Sequence, residues 1–210
     1  MRIITLLSGA AVALSVAGGL GFGEGLFSCA VGEGQFAAID EGQCGWTRIG
    51  GSYFDRDAAG ANPGVEETVF SVSGGGQFIY DENIRLGGGV GIDIFDSDGT
   101  GGTEIDGTRI HAGVSAKYVE GNMMAGVSIS AGYANSDSER ATPLGTAEGD
   151  FDVFDFSVLA RAAYLIEAGD GLYIKPQIQG GMTYVDVARL KPVMAPVLGP
   201  KAMLRLVFQA

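Results

Sequence analysis

Residues 84–95 read IRLGGGVGIDIF. Even positions carry Ile84, Leu86, Gly88, Val90, Ile92 and Ile94, while odd positions carry Arg85, Gly87, Gly89, Gly91, Asp93 and Phe95. A period of two is the signature of a strand whose faces meet different surroundings. One face is apolar apart from a glycine. The other is glycine, two charges and a terminal Phe. In a soluble sandwich the apolar face meets a second sheet. In a membrane barrel it meets lipid, and the small polar face lines the lumen.

The same alternation recurs along the chain. Candidate strands are 46–54, 68–80, 84–95, 108–119, 123–135, 151–166 and 172–187, with 203–208 as a doubtful eighth. Nearly every charge within them falls opposite the aliphatic face. Arg48, Arg85, Arg109, His111, Lys117, Arg161 and Lys175 are read as lumen-facing. Ile84, Leu86, Val90, Ile110, Val114, Val127, Ile129, Val158, Ile174 and Ile178 are read as lipid-facing. A charge in the lipid band costs about 2–4 kcal/mol near mid-membrane, which gives the segregation a cause. Tyr80, Tyr118, Tyr133, Tyr164 and Tyr184 sit on the apolar face near strand ends, where an interfacial girdle belongs. Short links at 81–83, 120–122 and 167–171 alternate with polar links at 55–67, 96–107 and 136–150, which are read as long loops. Short turns on one side and long loops on the other are the outer-membrane barrel layout.

Composition agrees. Gly is 36 of 210 residues, more than twice the usual share of about 7%, without a collagen period. The net charge of −12 argues against nucleic-acid binding, which needs a basic patch. After residue 25 no run of about 20 apolar residues occurs. Residues 1–19 read as a signal peptide or apolar leader: Arg2, an apolar run, then Ser15-Val16-Ala17 as a small-x-small cleavage pattern. Residues 20–45 form a lead-in segment holding Cys29 and Cys44, which would close a small loop and pair in an oxidising compartment. Residues 46–188 carry the strands. The tail 189–210 is broken by Pro192, Pro196 and Pro200.

No catalytic constellation is apparent. His111 is the only histidine, which excludes a His-based metal cluster, and its parity makes it a lumen residue. Gly74-Gly75-Gly76 and Gly87-Gly88-Gly89 lie inside strands, where they fit curvature or close packing better than a phosphate cradle. The acidic stretch Asp96, Asp98, Glu104, Asp106 lacks calcium-hand spacing. No cofactor is expected and no enzyme activity.

The order of these pieces resembles the autotransporter translocator β-domain. Trp46-Thr47-Arg48 is similar to the family's opening aromatic-small-Arg strand, and Asp55-Arg56-Asp57 to the loop that follows. Ile84-Arg85-Leu86-Gly87 is similar to its R-L-G strand. Gly113 to Tyr118 and GYANSDSER resemble later strands, and GLYIKPQIQGGMTYVDV a Pro- and Tyr-bearing one. The Cys29 and Cys44 pair resembles a subgroup. The resemblance covers roughly residues 29–187. It implies an all-β antiparallel meander forming a twelve-stranded outer-membrane barrel that exports an N-terminal passenger, with lipid and the barrel-assembly machinery as partners. The sequence departs from it twice. No passenger is evident between leader and first strand, and the last four or five strands with an aromatic C-terminal signature are missing before Ala210. The expectation is an incomplete copy, about seven or eight of twelve strands. Two alternatives stand beside it: a small eight-stranded surface barrel with a structural or adhesive role, and a soluble secreted β-sandwich that binds a ligand.

Overall fold

The computed structural model describes residues 18–27, 29, 42–58, 64–99, 102–142, 145–169, 172–187 and 193–195. The strands are β1 (Cys44–Arg56), β2 (Val65–Ile79), β3 (Ile84–Gly99), β4 (Thr103–Glu120), β5 (Met123–Thr142) and β6 (Gly145–Tyr164). They continue with β7 (Ile166–Gly169), β8 (Leu172–Ile174), β9 (Gln177–Val187) and β10 (Val193–Ala195). The main sheet runs β1-β2-β3-β4-β5-β6-β9-β10, antiparallel throughout, and β7 pairs with β8 where β6 and β9 extend past Leu165 and Pro176. Seven strands form an antiparallel meander, with β10 as a three-residue addition on β9. Among the described residues β1 and β10 do not pair, so the sheet is curled but unclosed.

Register turns the parity of residues 84–95 into continuous surfaces. The outward row through Val114 links Gly88, Val114, Ile129, Val158 and Met182. Val114 is 60% exposed, and Val90, Ile94, Ile110 and Ile178 are exposed beside it. Ile84, Leu86 and Val158, on the same face, are half-buried, as is Ile174 in the separate β7–β8 pair. On β4 the outward residues from Thr108 to Tyr118 carry no charge, and the same holds on the neighbouring strands. Eleven residues match the roughly 9–11 that a tilted strand needs to cross a bilayer. Exposed Tyr53, Tyr133 and Tyr184 lie toward one end of this band, and Tyr80, Tyr118 and Tyr164 toward the other.

The polar links expected as loops at 96–107 and 136–150 are instead strand. β3 and β4 continue to Gly99 and Thr103, β5 and β6 to Thr142 and Gly145. Only the 55–67 link keeps a longer connection, from Arg56 to Val65. At the base of the extensions the inward residues form a small core, in which Ile105 meets Phe95, Ala134, Val153, Val185 and Val187. Their outward residues face water, where charges are allowed. Strand 172–187 is divided by Lys175 and Pro176, since proline cannot donate to the ladder. Met203 to Phe208, the doubtful eighth strand, lies outside the described residues.

Register also stacks carboxylates on the outward face of the extensions. One row links Asp55, Glu66, Asp98, Glu104, Glu139 and Glu148 across six strands. The next row toward the membrane holds Asp96, Asp106, Asp137 and Asp150. The hydrogen bond that protonated Asp137 donates to the Asp150 carboxylate raises its pKa above the ordinary value, with burial and the charges of Asp150 and Asp106 adding to it. Directly opposed like charges weaken a sheet.

Two outcomes follow. Val114→Arg is expected to lower stability of the chain refolded into lipid by about 2–4 kcal/mol, whereas Glu104→Arg, outside the band, should not lower it. Denaturant titration of both variants in vesicles measures this. Asp137 holds its proton more tightly folded than unfolded, so its penalty is absent at acid pH and appears as pH rises through the carboxylate range. Asp137→Asn should therefore melt higher than the native chain at pH 7, and the gap should vanish below about pH 4.

Candidate functional site: the concave face and its helix

The concave face is a stack of inward rows. Nearest the strand extensions is the small apolar core around Phe95. Below it lie Asp93, Arg109, His111 and Asp155, all buried. A belt of small residues follows, with Gly89, Gly113, Ser130, Ser157 and Thr183 in one row and Gly87, Ser115, Ser128, Leu159 and Gly181 in the next. Arg85, Lys117, Gly126, Arg161 and Gln179 form the next row toward the short turns.

The small belt makes room for a helix. Residues 18–25 (α1), GGLGFGEG, are helical and lie against the concave face, followed by a turn at Leu26 and Phe27. Each apolar side chain of this segment meets a wall glycine. A Cβ built on Gly91 would stand 3.2 Å from Phe22, on Gly113 2.9 Å from Leu26, on Gly126 2.9 Å from Phe27, and on Gly181 3.0 Å from Leu20. The face of residues 84–95 is small because a helix fills the space that side chains would take.

Lumen donors hold the C-terminal carbonyls of this segment. Ser128 Oγ donates to Gly23 O at 3.0 Å, Ser115 Oγ to Leu26 O at 3.1 Å, and Lys117 Nζ to Phe27 O at 3.3 Å. Arg161 Nη2 reaches Glu24 Oε1 at 3.3 Å and bonds Gln179 Oε1 at 2.8 Å, with its guanidinium over the Phe27 ring. The Phe22 ring stacks on His111, centroids 5.2 Å apart, and His111 Nε2 lies 2.7 Å from Asp93 Oδ2. The acidic pair Asp93 and Asp155 sits at the N-terminal end of α1, the cations Lys117 and Arg161 at its C-terminal end. That is the arrangement the helix dipole favours. Arg109 lies among these acids at the N-terminal end, which points toward the strand extensions.

Of the residues read as lumen-facing, the structure places Arg109, His111 and Lys117 buried on the concave face, 2%, 4% and 2% exposed. Arg161 is half-buried there. Arg85 turns to the short link instead, donating to Asp81 O and Glu82 O at 2.9 and 2.8 Å. Arg48 is exposed on edge strand β1, and Lys175 is half-buried at the break before β9. Cys29 and Cys44 form a disulfide with Cα atoms 5.9 Å apart, tying the end of the helical segment to the start of β1. The sequence reading missed α1, Phe22, Glu24 and Asp155. Five glycines in eight residues disfavour a helix, and only the wall explains them. Asp155 was legible, since it shares its parity with Val153 and Ser157.

These features can now be set beside known proteins. A sequence profile of the autotransporter β-domain family matches residues 45–191. The chain belongs to the autotransporter β-domain family. The β domain of the Bordetella autotransporter BrkA is similar in fold, with a TM-score of 0.51 and 13% identity over 73% of this chain. The match spans 64% of that chain. No curated protein sequence matches. Among the described residues no group of three or more His, Cys, Asp or Glu side chains is placed to hold a metal ion, and no helix is long and apolar enough to cross a membrane.

Two glycines of α1 test its seating. A Cβ at Gly19 would collide with Ser157 Oγ and stand 2.8 Å from Asp155 Oδ1, whereas one at Gly21 meets nothing within 4 Å. Gly21→Ala should stabilise the folded chain by about 0.5–1 kcal/mol through helix propensity. Gly19→Ala should destabilise it. Thermal unfolding in detergent distinguishes the two.

Proposed function

We propose that this chain is an outer-membrane, translocator-type β-barrel domain of bacteria, with a structural and protein-secretion role and no catalysis. One observation carries the reading: residues 18–27 lie in a polar groove whose outer surface carries an apolar band of bilayer height, with Asp152 and Asp186 its only charges, toward one end. A strand pair can cross lipid only if its peptide groups are satisfied within the sheet. Within the band the meander satisfies them from β2 to β6, and among the described residues β1 and the outer side of β9, which β10 covers only at 183–185, require further pairing. Lipid is the partner of the outer face, and the barrel-assembly machinery the partner that would insert such a sheet. The lumen's serines and charges offer a passing polypeptide hydrogen bonds that lipid cannot.

The eight-stranded alternative would need the β10 side to close on β1. A soluble sandwich would need a second sheet over Val90, Ile110 and Val114, which are exposed in the described sheet. The test follows a polypeptide through the lumen. A short unfolded epitope inserted between Ala17 and Gly18 is expected to be stained by antibody on intact cells. An epitope found only after the outer membrane is permeabilised contradicts a translocating role.

A further inference from the structure

The outward band does not carry large side chains throughout. On the half nearer the short turns, register brings Ala116, Ala125, Ala160, Ala162 and Gly180 together on β4, β5, β6 and β9. Ile84 and Tyr118 stand on one side of them and Ile178 on the other. Ile129, Val158 and Met182 follow in the next row toward the middle of the band. The result is a groove of about 1020 Å³ in the outer surface, lined almost wholly by apolar atoms. Pockets that hold small apolar ligands span roughly 300–1,000 Å³.

Three features decide what the groove can hold. Its floor is the middle of a sheet, where β4, β5, β6 and β9 pair residue by residue, so no further strand can add there. It lies inside the apolar band, at a height where the barrel reading puts acyl chains. A dent among bulky side chains leaves dispersion contacts unmade until something fills it, and a flexible methylene chain can. Its mouth toward the short turns is polar and acidic. Tyr118 Oη donates to Glu120 Oε2 at 2.9 Å, and Glu120 is exposed on the same face. On the link before β3, Arg85 donates to the carbonyls of Asp81 and Glu82, and both of those residues are acids.

We propose that this groove seats one membrane phospholipid with an ammonium headgroup. An acyl chain lies over Ala116, Ala125, Ala160 and Ala162, between the Tyr118 and Ile178 walls. The ammonium meets Glu120 at the mouth, where an anionic headgroup would meet a like charge. The tail gains contact with floor and walls together, which neighbouring chains in fluid lipid offer only transiently. The lipid held here therefore leaves more slowly than the lipid around the rest of the band. The inference rests on the barrel reading and narrows it: lipid is a bound partner at one place on the outer face as well as the solvent around it.

The test inserts the full chain into vesicles of equal phosphatidylethanolamine and phosphatidylglycerol. Protection of the strands from added protease reports insertion, so failure of the barrel reading shows there alone. The inserted chain is then extracted in mild detergent and weighed intact with whatever lipid it keeps. One phosphatidylethanolamine per chain is expected. Ala160→Phe fills the floor and should lower the retained fraction at least about tenfold, as losing the burial of two chain methylenes would give. Where Ala160→Phe fails to insert, Ala162→Leu carries the same expectation. Val90→Phe, outward on β3 and outside the groove, should change nothing. Glu120→Gln should keep one lipid and lose the preference for phosphatidylethanolamine. A bare chain, lipids carried in the vesicle ratio, or retention that both floor variants leave intact overturns the seat. Preference that survives Glu120→Gln overturns the headgroup assignment. A dimer mass that Ala160→Phe abolishes overturns the lipid and gives the groove to a second copy of the chain.

Discussion

The cost of placing a charge or an unpaired peptide group in hydrocarbon governs this molecule. On the outward face it removes charge from Thr108 to Tyr118 on β4 and in register on β3 and β5, and leaves only Asp152 and Asp186, toward one end of the band, on β6 and β9. The charges the strands do carry are driven inward, where Arg109, His111 and Lys117 are buried against a helix, not exposed in an open channel. Burial then sets its own demand, since each inward charge needs a partner. Asp93 has His111, Lys117 has the Phe27 carbonyl, and Arg161 has Glu24 and Gln179. The helix is therefore both a plug and a counter-ligand for the wall.

Glycine has a corresponding role. In most sheets it weakens strands by leaving nothing to pack. Here the missing side chains at Gly91, Gly113 and Gly126 are the sockets for Phe22, Leu26 and Phe27. The high glycine content of the chain is thus partly a record of a helix lying close to a sheet. The disulfide between Cys29 and Cys44 holds the exit of that helix beside the first strand, so the segment that fills the lumen and the strand that borders it are tied at one end.

Much of this was legible in the residues. The parity of 84–95 gave the two faces of β3, and the same rule located the outward surfaces of β4, β5 and β6. Three things were not. Charged stretches such as 136–150 read as loops, because polarity alone does not say whether a strand has left the membrane. Ser136 and Val153 facing inward were the signal. Phe95 looked like a stray aromatic on a polar face, and only pairing shows it meeting Ile105 and Val153 in a core. The helix was illegible on principle: GGLGFGEG has poor helical propensity, and its stability comes from a wall built by residues a hundred positions later.

The central claim is that one face of each strand meets lipid and the other meets the lumen helix. Among the described residues there is no free cysteine, so single cysteines placed from Gly126 to Tyr133 on β5 can carry a nitroxide label in vesicles. Collision rates with oxygen, which concentrates in lipid, and with a water-soluble nickel complex report the surroundings of each site. Oxygen accessibility should alternate, high at 127, 129, 131 and 133 and low at 126, 128, 130 and 132, with little nickel access at the high sites. A flat profile, an opposite phase, or strong nickel access at Val127 and Ile129 would contradict the account.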